Sequence, residues 1–309
     1  EHLNRAASLL TRLQGLLLDG HFLLESAVRH RMGVFFNFNG TAGIWRKRAI
    51  EEAGGWSAAT LTEDLDLSYR AQLAGWRFLF IEAYTVDAEV PERVRAFRTQ
   101  QHRWTKGAVQ VGGRLARQVL VSPLPLRTKV EALFHLYSNL AFPLVLLLSL
   151  LLPLSLVARQ GLSSHDSLLW WGVDLPVLSL ATLPMGLFYL AADHSRRSLG
   201  FLSFVRAPMA MALGLGMSVN NTRAVVEGLV GSPSAFVRTP KVGEGTAGGA
   251  RYRSELTGSG LFEIGIAVYY GATITWAAAN GLVSSIPFLL LFMAGFAYVG
   301  LLTVFEPRS

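Results

Sequence analysis

Two short groups of polar residues in the sequence have types and spacing that could do chemistry. The first is the acidic segment 62–64 (Thr-Glu-Asp), and the second, some 40 residues later, contains Gln100, Arg103 and Trp104. Residues at i, i+3 and i+4 share one face of a helix. An amide can orient sugar hydroxyls, a guanidinium can hold a diphosphate through its fork, and an indole offers a flat apolar surface to a sugar ring. The alternative interpretation of the second group is a membrane-surface helix with a snorkelling Arg and an interfacial Trp. The presence of the acidic segment makes this alternative less favoured.

These two groups resemble motifs of the membrane-integrated family 2 glycosyltransferases, which include bacterial cellulose synthase and related β-glucan and mannan synthases. The acidic segment is similar to the T-E-D motif of that family, and the second group fits its Q-x-x-R-W motif. The resemblance implies that Asp64 is the general base toward the acceptor hydroxyl, with Glu63 among the substrate-binding residues. It also implies that Arg103 contacts the nucleotide diphosphate, and that Gln100 and Trp104 bind the terminal acceptor sugar.

A third match lies at residues 236–241 (Phe-Val-Arg-Thr-Pro-Lys). This hexapeptide is similar to the F-x-V-T-x-K gating loop that closes over the nucleotide in cellulose synthase, although Arg238 stands in place of the Val. The resemblance makes Phe236, Thr239 and Lys241 substrate-binding residues, and the cations of Arg238 and Lys241 could neutralise a departing diphosphate. A solvated basic loop is the alternative interpretation of the hexapeptide.

The resemblance further implies a divalent cofactor, Mg²⁺ or Mn²⁺, held on the donor diphosphate by a D-x-D motif that follows a strand. Nothing upstream of Thr62 supplies this motif. The Asp64 and Asp66 carboxyls do not replace it, because residues two apart in a helix point about 200° from each other. The histidines, among them His21, show no metal-ligand spacing. We therefore expect the metal ligands to be absent from this chain, which resembles the C-terminal portion of a longer enzyme without its donor-binding N-terminal half.

The composition indicates a membrane protein. Of the 309 residues, 51% are hydrophobic and 16% are charged, and the mean hydropathy is +0.37. The absence of cysteine excludes disulfides, thiolate nucleophiles and cysteine-ligated zinc. A net charge of +7 is compatible with nucleic-acid binding, but in so apolar a chain it more often marks loops that face an anionic cytoplasmic leaflet. We find no nucleic-acid motif and expect no nucleic-acid partner.

Residues 133–309 are predicted to form a transmembrane domain. The spans are expected at about 134–157, 168–192, 261–279 and 283–304, since apolar helices of this length match the roughly 30 Å hydrocarbon thickness. Basic residues are concentrated at 193–257, and positive charge stays inside. This loop and the catalytic domain are therefore predicted to be cytoplasmic, in a multi-pass protein of the plasma (inner) membrane. An interfacial helix is expected at 199–219.

Residues 1–132 alternate helical and strand patterns, which indicates an α/β domain. An opening amphipathic helix is followed by predicted strands at 34–39 and 77–82 and by predicted helices at 46–53 and 62–74, the latter N-capped by Thr62. The resemblance makes this domain the acceptor half of a partial GT-A (Rossmann-like) glycosyltransferase domain. The segment 37–41 also resembles the stretch that these enzymes place beside the acceptor, although a strand-to-turn junction is equally plausible.

The functional hypothesis is an inverting glycosyltransferase that forms a β-linkage at the cytoplasmic membrane face. It would transfer a hexose from a nucleoside-diphosphate sugar, UDP-glucose or GDP-mannose, to a polysaccharide acceptor. Two alternatives are a glycolipid-forming glucosyltransferase, which transfers one sugar to a lipid acceptor, and a catalytically incomplete membrane fragment or scaffold. Under each hypothesis the lipid bilayer is a partner.

Overall fold

The computed structural model describes residues 1–162, 175–231 and 257–306, and these residues are predominantly helical. A π-helical turn at Gly20–Ser26 joins the first two helices, and 3₁₀ turns lie at Ser138–Leu140 and Val283–Ser285. The helices are α1 (Leu9–Asp19), α2 (Ala27–Met32), α3 (Lys47–Glu52), α4 (Glu63–Leu73), α5 (Val94–Val121), α6 (Leu126–Tyr137), α7 (Ala141–Leu162), α8 (Leu175–His194), α9 (Phe201–Gly216), α10 (Ser218–Val230), α11 (Thr257–Ala279) and α12 (Ile286–Phe305).

The two predicted strands are absent from the part of the chain that the structure describes. Residues 34–39 and 77–82 contain no strand, and an isolated β-bridge between His2 and Ala88 lies outside both ranges. The family resemblance in this region therefore does not rest on a sheet, and the Rossmann-like part of the predicted fold class is not confirmed.

Side chains of α4 take the place of a neighbouring strand along residues 36–38. The Gln72 amide donates to the Phe36 carbonyl at 2.8 Å and accepts from the Phe36 amide at 3.3 Å. The Ser68 hydroxyl accepts from the Phe38 amide at 2.9 Å. Because these backbone groups are already bonded to a helix, they are not available to a β-ladder.

The short helices of this region agree with the sequence prediction. Helix α3 ends before Gly54 and α4 before Gly75, and both glycines adopt positive φ angles, of 83° and 92°. A left-handed residue after a helix is a common stop, and glycine adopts it without steric cost. One detail of the prediction is wrong: Thr62 occupies the N-cap position of α4, but its side chain makes no capping hydrogen bond.

Three helical segments in the described ranges are long and apolar enough to cross a membrane: Leu126–Ala158, Gly258–Ala279 and Val283–Phe305. They overlap the first, third and fourth predicted spans. The second predicted span begins among residues 163–174, which are outside the described residues, and continues into α8. The chain therefore has the helices of a multi-pass membrane protein, while the boundary at residue 132 stays a prediction.

Helices α9 and α10 form a further apolar pair. They meet at a bend of 46°, and together they pass the same test of length and apolarity as a broken span or a re-entrant segment. A Cβ added at Gly216 of α9 would overlap the backbone carbonyl oxygen of Gly295 in α12. Helices α9 and α12 thus pack with their backbones in close approach, and the interfacial helix predicted at 199–219 stays a prediction.

The long helix α5 belongs to two hydrophobic clusters. Near its start, Val94 and Phe97 pack with buried residues of α1, α9 and α12. Further along, Val111 and Leu115 pack with residues of α4 and α6. Helix α5 therefore joins the segments that precede the membrane helices to the membrane helices themselves.

A fully buried ion pair fixes the start of α5 against the membrane helices. Arg98 donates to both carboxylate oxygens of Glu263 in α11, at 2.6 and 2.8 Å, and to the hydroxyls of Thr303 and Ser259, at 3.0 and 2.7 Å. The carboxylate of Glu306, at the end of α12, accepts from the amide of Val94 at 2.8 Å. These bonds pair the two buried charges with each other, while Nε of Arg98 is buried with no hydrogen-bond partner among the described residues.

We predict that Glu263→Ala destabilises the protein by about 3 to 5 kcal/mol, because Arg98 would remain buried without its counter-charge. Thermal unfolding of the full-length protein in detergent measures this. The matched control is Glu51→Ala, which removes an exposed pair with Lys47 at 3.6 Å and should change the unfolding temperature very little. Equal unfolding temperatures for the two variants would contradict the anchoring role of the buried pair.

Candidate active site

The acidic segment 62–64 lies directly against α5. A Cβ added at Gly107 of α5 would lie 2.5 Å from Thr62 Cγ2 and 2.9 Å from the Thr62 backbone nitrogen. The preceding residue, Leu61, donates its amide to Gln110 Oε1 at 3.0 Å. Only a glycine at 107 allows this approach, so the two sequence motifs are held together by backbone contact.

The carboxyl of Asp64 is partly buried between its own helix and the turn at Gly40. One oxygen, Oδ1, accepts from the Leu65 amide at 2.8 Å. The other, Oδ2, would lie 3.1 Å from a Cβ at Gly40, whose φ of 73° is in the left-handed region. The Ser68 hydroxyl donates to the Asp64 carbonyl at 2.6 Å while accepting from the Phe38 amide. The turn and the first residues of α4 thus form one unit around the carboxyl.

Burial raises the pKa of Asp64 above its ordinary value. The Leu65 amide acts against this shift, the neighbouring charge of Glu63 adds to it, and the Arg103 guanidinium again opposes it. Arg103 is therefore within electrostatic reach of the Asp64 carboxyl. A carboxylate with a raised pKa is a stronger base, which suits removal of a proton from a hydroxyl.

The second acid of the Asp-Leu-Asp sequence serves a different purpose. Asp66 is fully buried, with Oδ2 at 2.7 Å from Arg70 and Oδ1 at 3.6 Å from Arg114. It is committed to these two cations and does not face Asp64. No group of three or more His, Asp or Glu residues that could hold a metal occurs among the described ranges. The residues present there do not fit a divalent cation.

Gln100, Arg103 and Trp104 lie on the continuous helix α5, at the spacing that puts them on one face. The Trp104 side chain is 38% exposed, which leaves part of the indole open to a ligand. On the far side of the helix, His102 contacts Glu227 of α10 at 3.2 Å. One face of α5 is thus occupied by protein contacts, and the other carries the sequence-predicted side chains.

The three residues predicted from the gating-loop resemblance, Phe236, Thr239 and Lys241, lie outside the residues that the structure describes, as does Arg238. Their place relative to Asp64 stays a prediction.

Two residues at the site escaped the sequence analysis as functional candidates: His21, which was considered only as a metal ligand, and Glu25. His21 lies in the π-helical turn, with Nδ1 at 3.0 Å from Glu25 Oε2 and Nε2 at 3.1 Å from Asn39 Oδ1. A search for metal-ligand spacing passes over them. The signal that could have found them is the i, i+4 spacing of a histidine and a glutamate in a predicted helix, which places the two side chains in contact.

Comparison with known proteins gives a family match for most of the chain. Residues 3–217 match the family model described as "Glycosyl transferase family group 2". The chain is 32% identical over 251 residues to probable glucomannan 4-beta-mannosyltransferase 4 of Oryza sativa subsp. japonica, which covers 79% of this chain and 43% of that relative. It is 47% identical over 117 residues to glucomannan 4-beta-mannosyltransferase 2 of Arabidopsis thaliana, covering 38% of this chain and 22% of that relative. The chain thus matches less than half the length of these relatives.

Substitution by alanine at two glycines of α5 should have different effects on stability, because Gly107 contacts Thr62 whereas Gly113 has open space around it. Gly107→Ala should destabilise the protein by about 1 to 3 kcal/mol, because the new methyl group overlaps the Thr62 backbone. Gly113→Ala, where nothing lies within 4 Å of the added Cβ, should be neutral or stabilise by up to about 1 kcal/mol through helix propensity. Thermal unfolding of the two full-length variants checks this, and a Gly107→Ala protein as stable as Gly113→Ala would rule out the close contact.

Proposed function

Since the chain belongs to glycosyl transferase family group 2, we propose that it forms the acceptor side of an inverting hexosyltransferase. The observation that carries this proposal is the Asp64 carboxyl, whose pKa is raised by burial and which lies within electrostatic reach of Arg103 where α4 meets α5. A basic carboxylate can take the proton of an acceptor hydroxyl, and a guanidinium can stabilise a departing diphosphate.

In the proposed mechanism Asp64 accepts the proton of an acceptor hydroxyl while that oxygen attacks the anomeric carbon of the donor sugar. A single displacement converts an α-linked donor into a β-linked product. Arg103 binds the diphosphate and stabilises the negative charge that develops on it as the bond to the sugar breaks. Gln100 and Trp104 hold the terminal sugar of the acceptor, the amide through hydroxyl groups and the indole through its face.

We propose a mannosyl donor, GDP-mannose, and a polysaccharide acceptor. The support is that the relatives are named glucomannan 4-beta-mannosyltransferases. These names do not favour transfer of one glucose to a lipid, nor a scaffold without turnover. Members of the family generally use a divalent metal, but the residues of the described ranges do not fit one.

We further propose that the site lies at the cytoplasmic face of the plasma (inner) membrane. The support is the concentration of basic residues at 193–257, because positive loops stay on the cytoplasmic side. On this side, Phe236, Thr239 and Lys241, which precede α11 in the sequence, would bind the nucleotide. The membrane helices would hold the enzyme in the bilayer next to its acceptor.

Asp64→Asn in the full-length enzyme should reduce transfer of radiolabelled mannose from GDP-mannose to a β-mannan oligosaccharide by more than about a hundredfold, because an amide does not accept the proton. Donor affinity, measured by calorimetry, should stay within a few-fold of the wild-type value. Asp87→Asn alters an exposed acid and should leave transfer unchanged. Wild-type turnover by the Asp64→Asn enzyme would refute the base assignment, and replacing GDP-mannose with UDP-glucose in the same assay tests the donor.

The pH dependence of transfer provides a separate prediction. The base works ionised, so the rate falls as the pH drops through the pKa of Asp64, and the raised pKa makes this fall begin at a higher pH than for an ordinary aspartate. Because the Arg103 charge lowers the pKa of Asp64, Arg103→Gln should move the acid limb of the kcat–pH profile to a still higher pH. Arg103→Lys keeps the charge and should leave the limb near its wild-type position. Identical acid limbs in all three enzymes would contradict the electrostatic link.

A further inference from the structure

The π-helical turn Gly20–Ser26 carries two ionisable side chains, and one of them contacts the residue before Gly40, the glycine beside Asp64. It interrupts an otherwise continuous helix formed by α1 and α2, and π-turns within α-helices occur frequently at functional sites. Within it, His21 and Glu25 are four residues apart and in contact. His21 also reaches across to Asn39, the residue that precedes Gly40.

Both ring nitrogens of His21 face an oxygen atom. Nδ1 lies 3.0 Å from Oε2 of the Glu25 carboxylate and Nε2 lies 3.1 Å from the side-chain oxygen Oδ1 of Asn39. A ring that donates from both nitrogens is an imidazolium. Burial opposes the charged ring, but the hydrogen bond and charge of Glu25, together with the bond to Asn39, raise the pKa of His21 above its ordinary value even though the Arg29 charge acts against it.

Glu25 is held in its charged form by the groups around it. Burial opposes ionisation, but the hydrogen bond and charge of His21, with the charge of Arg29, lower the pKa of Glu25 to about 2. Arg29 Nε lies 3.1 Å from Glu25 Oε1, and His135 Nε2 lies 4.0 Å from the same oxygen. Glu25 therefore supplies a negative charge that favours the protonated form of the His21 ring and a hydrogen-bond partner that orients it.

The Asn39 side chain transmits this orientation to the turn. Its Oδ1 also accepts from Asn37 Nδ2 at 2.8 Å, so the amide is held by two donors. Asn39 is followed by Gly40, the left-handed residue that packs against Asp64 Oδ2. Residues 36–40 are thus held from one side by α4, through hydrogen bonds, and from the other side by His21.

We propose that His21 is a positioning residue for the transfer reaction, which acts through Asn39 to hold Gly40 against the Asp64 carboxyl and so keeps the base in place for the acceptor hydroxyl. This inference rests on the proposed role of Asp64 as the base. His21 itself does not touch the reacting atoms. Its effect is on geometry, and small displacements of a catalytic group have large effects on rate.

A double-mutant cycle in the full-length enzyme tests the proposal. His21→Ala and Asn39→Ala should each lower kcat roughly ten- to a hundredfold, with the KM for GDP-mannose unchanged within about twofold because the donor contacts are elsewhere. The double variant should be no slower than the slower single variant, since both changes break one contact. Losses that multiply would show independent effects and would overturn the proposal.

The conservative variant separates a specific hydrogen bond from a general loss of packing. His21→Gln carries an amide that can donate to Asn39, so it should recover most of the kcat that His21→Ala loses. The matched control His194→Ala, at the exposed end of α8, should have the wild-type kcat. A His21→Gln enzyme as slow as His21→Ala, or a His21→Ala enzyme with the wild-type kcat, would overturn the positioning role.

Hydrogen exchange gives a readout that does not depend on activity. In His21→Ala, the peptide that covers residues 36–40 should exchange faster, while residues 105–115 of α5 should exchange as in the wild-type protein. Unchanged exchange at 36–40 would overturn the inference even if kcat falls. Measuring Asp64→Asn in the same preparations separates the two hypotheses, because turnover by that variant refutes the proposed base and leaves the exchange result for His21 standing.

Discussion

The close approach of Gly107 to Thr62 is the constraint on which the candidate site depends. It brings the backbone of the acidic segment onto the surface of α5, within electrostatic reach of Arg103. A side chain at position 107 would move α4 and α5 apart, and the electrostatic influence of a guanidinium on a carboxyl falls with that distance. The raised pKa of the Asp64 carboxyl is therefore a consequence of helix packing as much as of the neighbours of Asp64 in the sequence.

The position of α5 is set in turn by the membrane helices. Its buried Arg98 is bonded to Glu263 of α11 and Thr303 of α12, and its first turn is capped by Glu306. These contacts are polar and directional, so they fix the rotation of α5 about its axis in a way that apolar packing alone does not. The rotation decides which face of α5 presents Gln100, Arg103 and Trp104. The membrane helices and the candidate site are thus connected by packing and hydrogen bonds through α5, and a change in helix packing would alter the site.

Sequence reasoning was successful where local physics decides the outcome. The helix of α4, with its acids in the first turn and its stop at Gly75, follows from spacing and from glycine chemistry. It failed at residues 34–39, where an apolar run indicates a strand but the Gln72 and Ser68 side chains of α4 take the backbone hydrogen bonds. It also passed over His21, because the contact with Asn39 depends on a π-helical turn that no residue pattern specifies. Both errors concern interactions between segments distant in sequence.

The opposing influences on Asp64 connect proton transfer to the donor. Burial raises the pKa of this carboxyl and the Arg103 charge lowers it. If Arg103 binds the diphosphate as proposed, the negative charge of the donor offsets the positive charge of the guanidinium. The guanidinium then lowers the pKa of Asp64 by less. Asp64 then becomes a stronger base when a donor is present and a weaker one when the site is empty. A less basic carboxylate in the empty site and a more basic one in the loaded site follow from the same pair of side chains, without any movement of the protein.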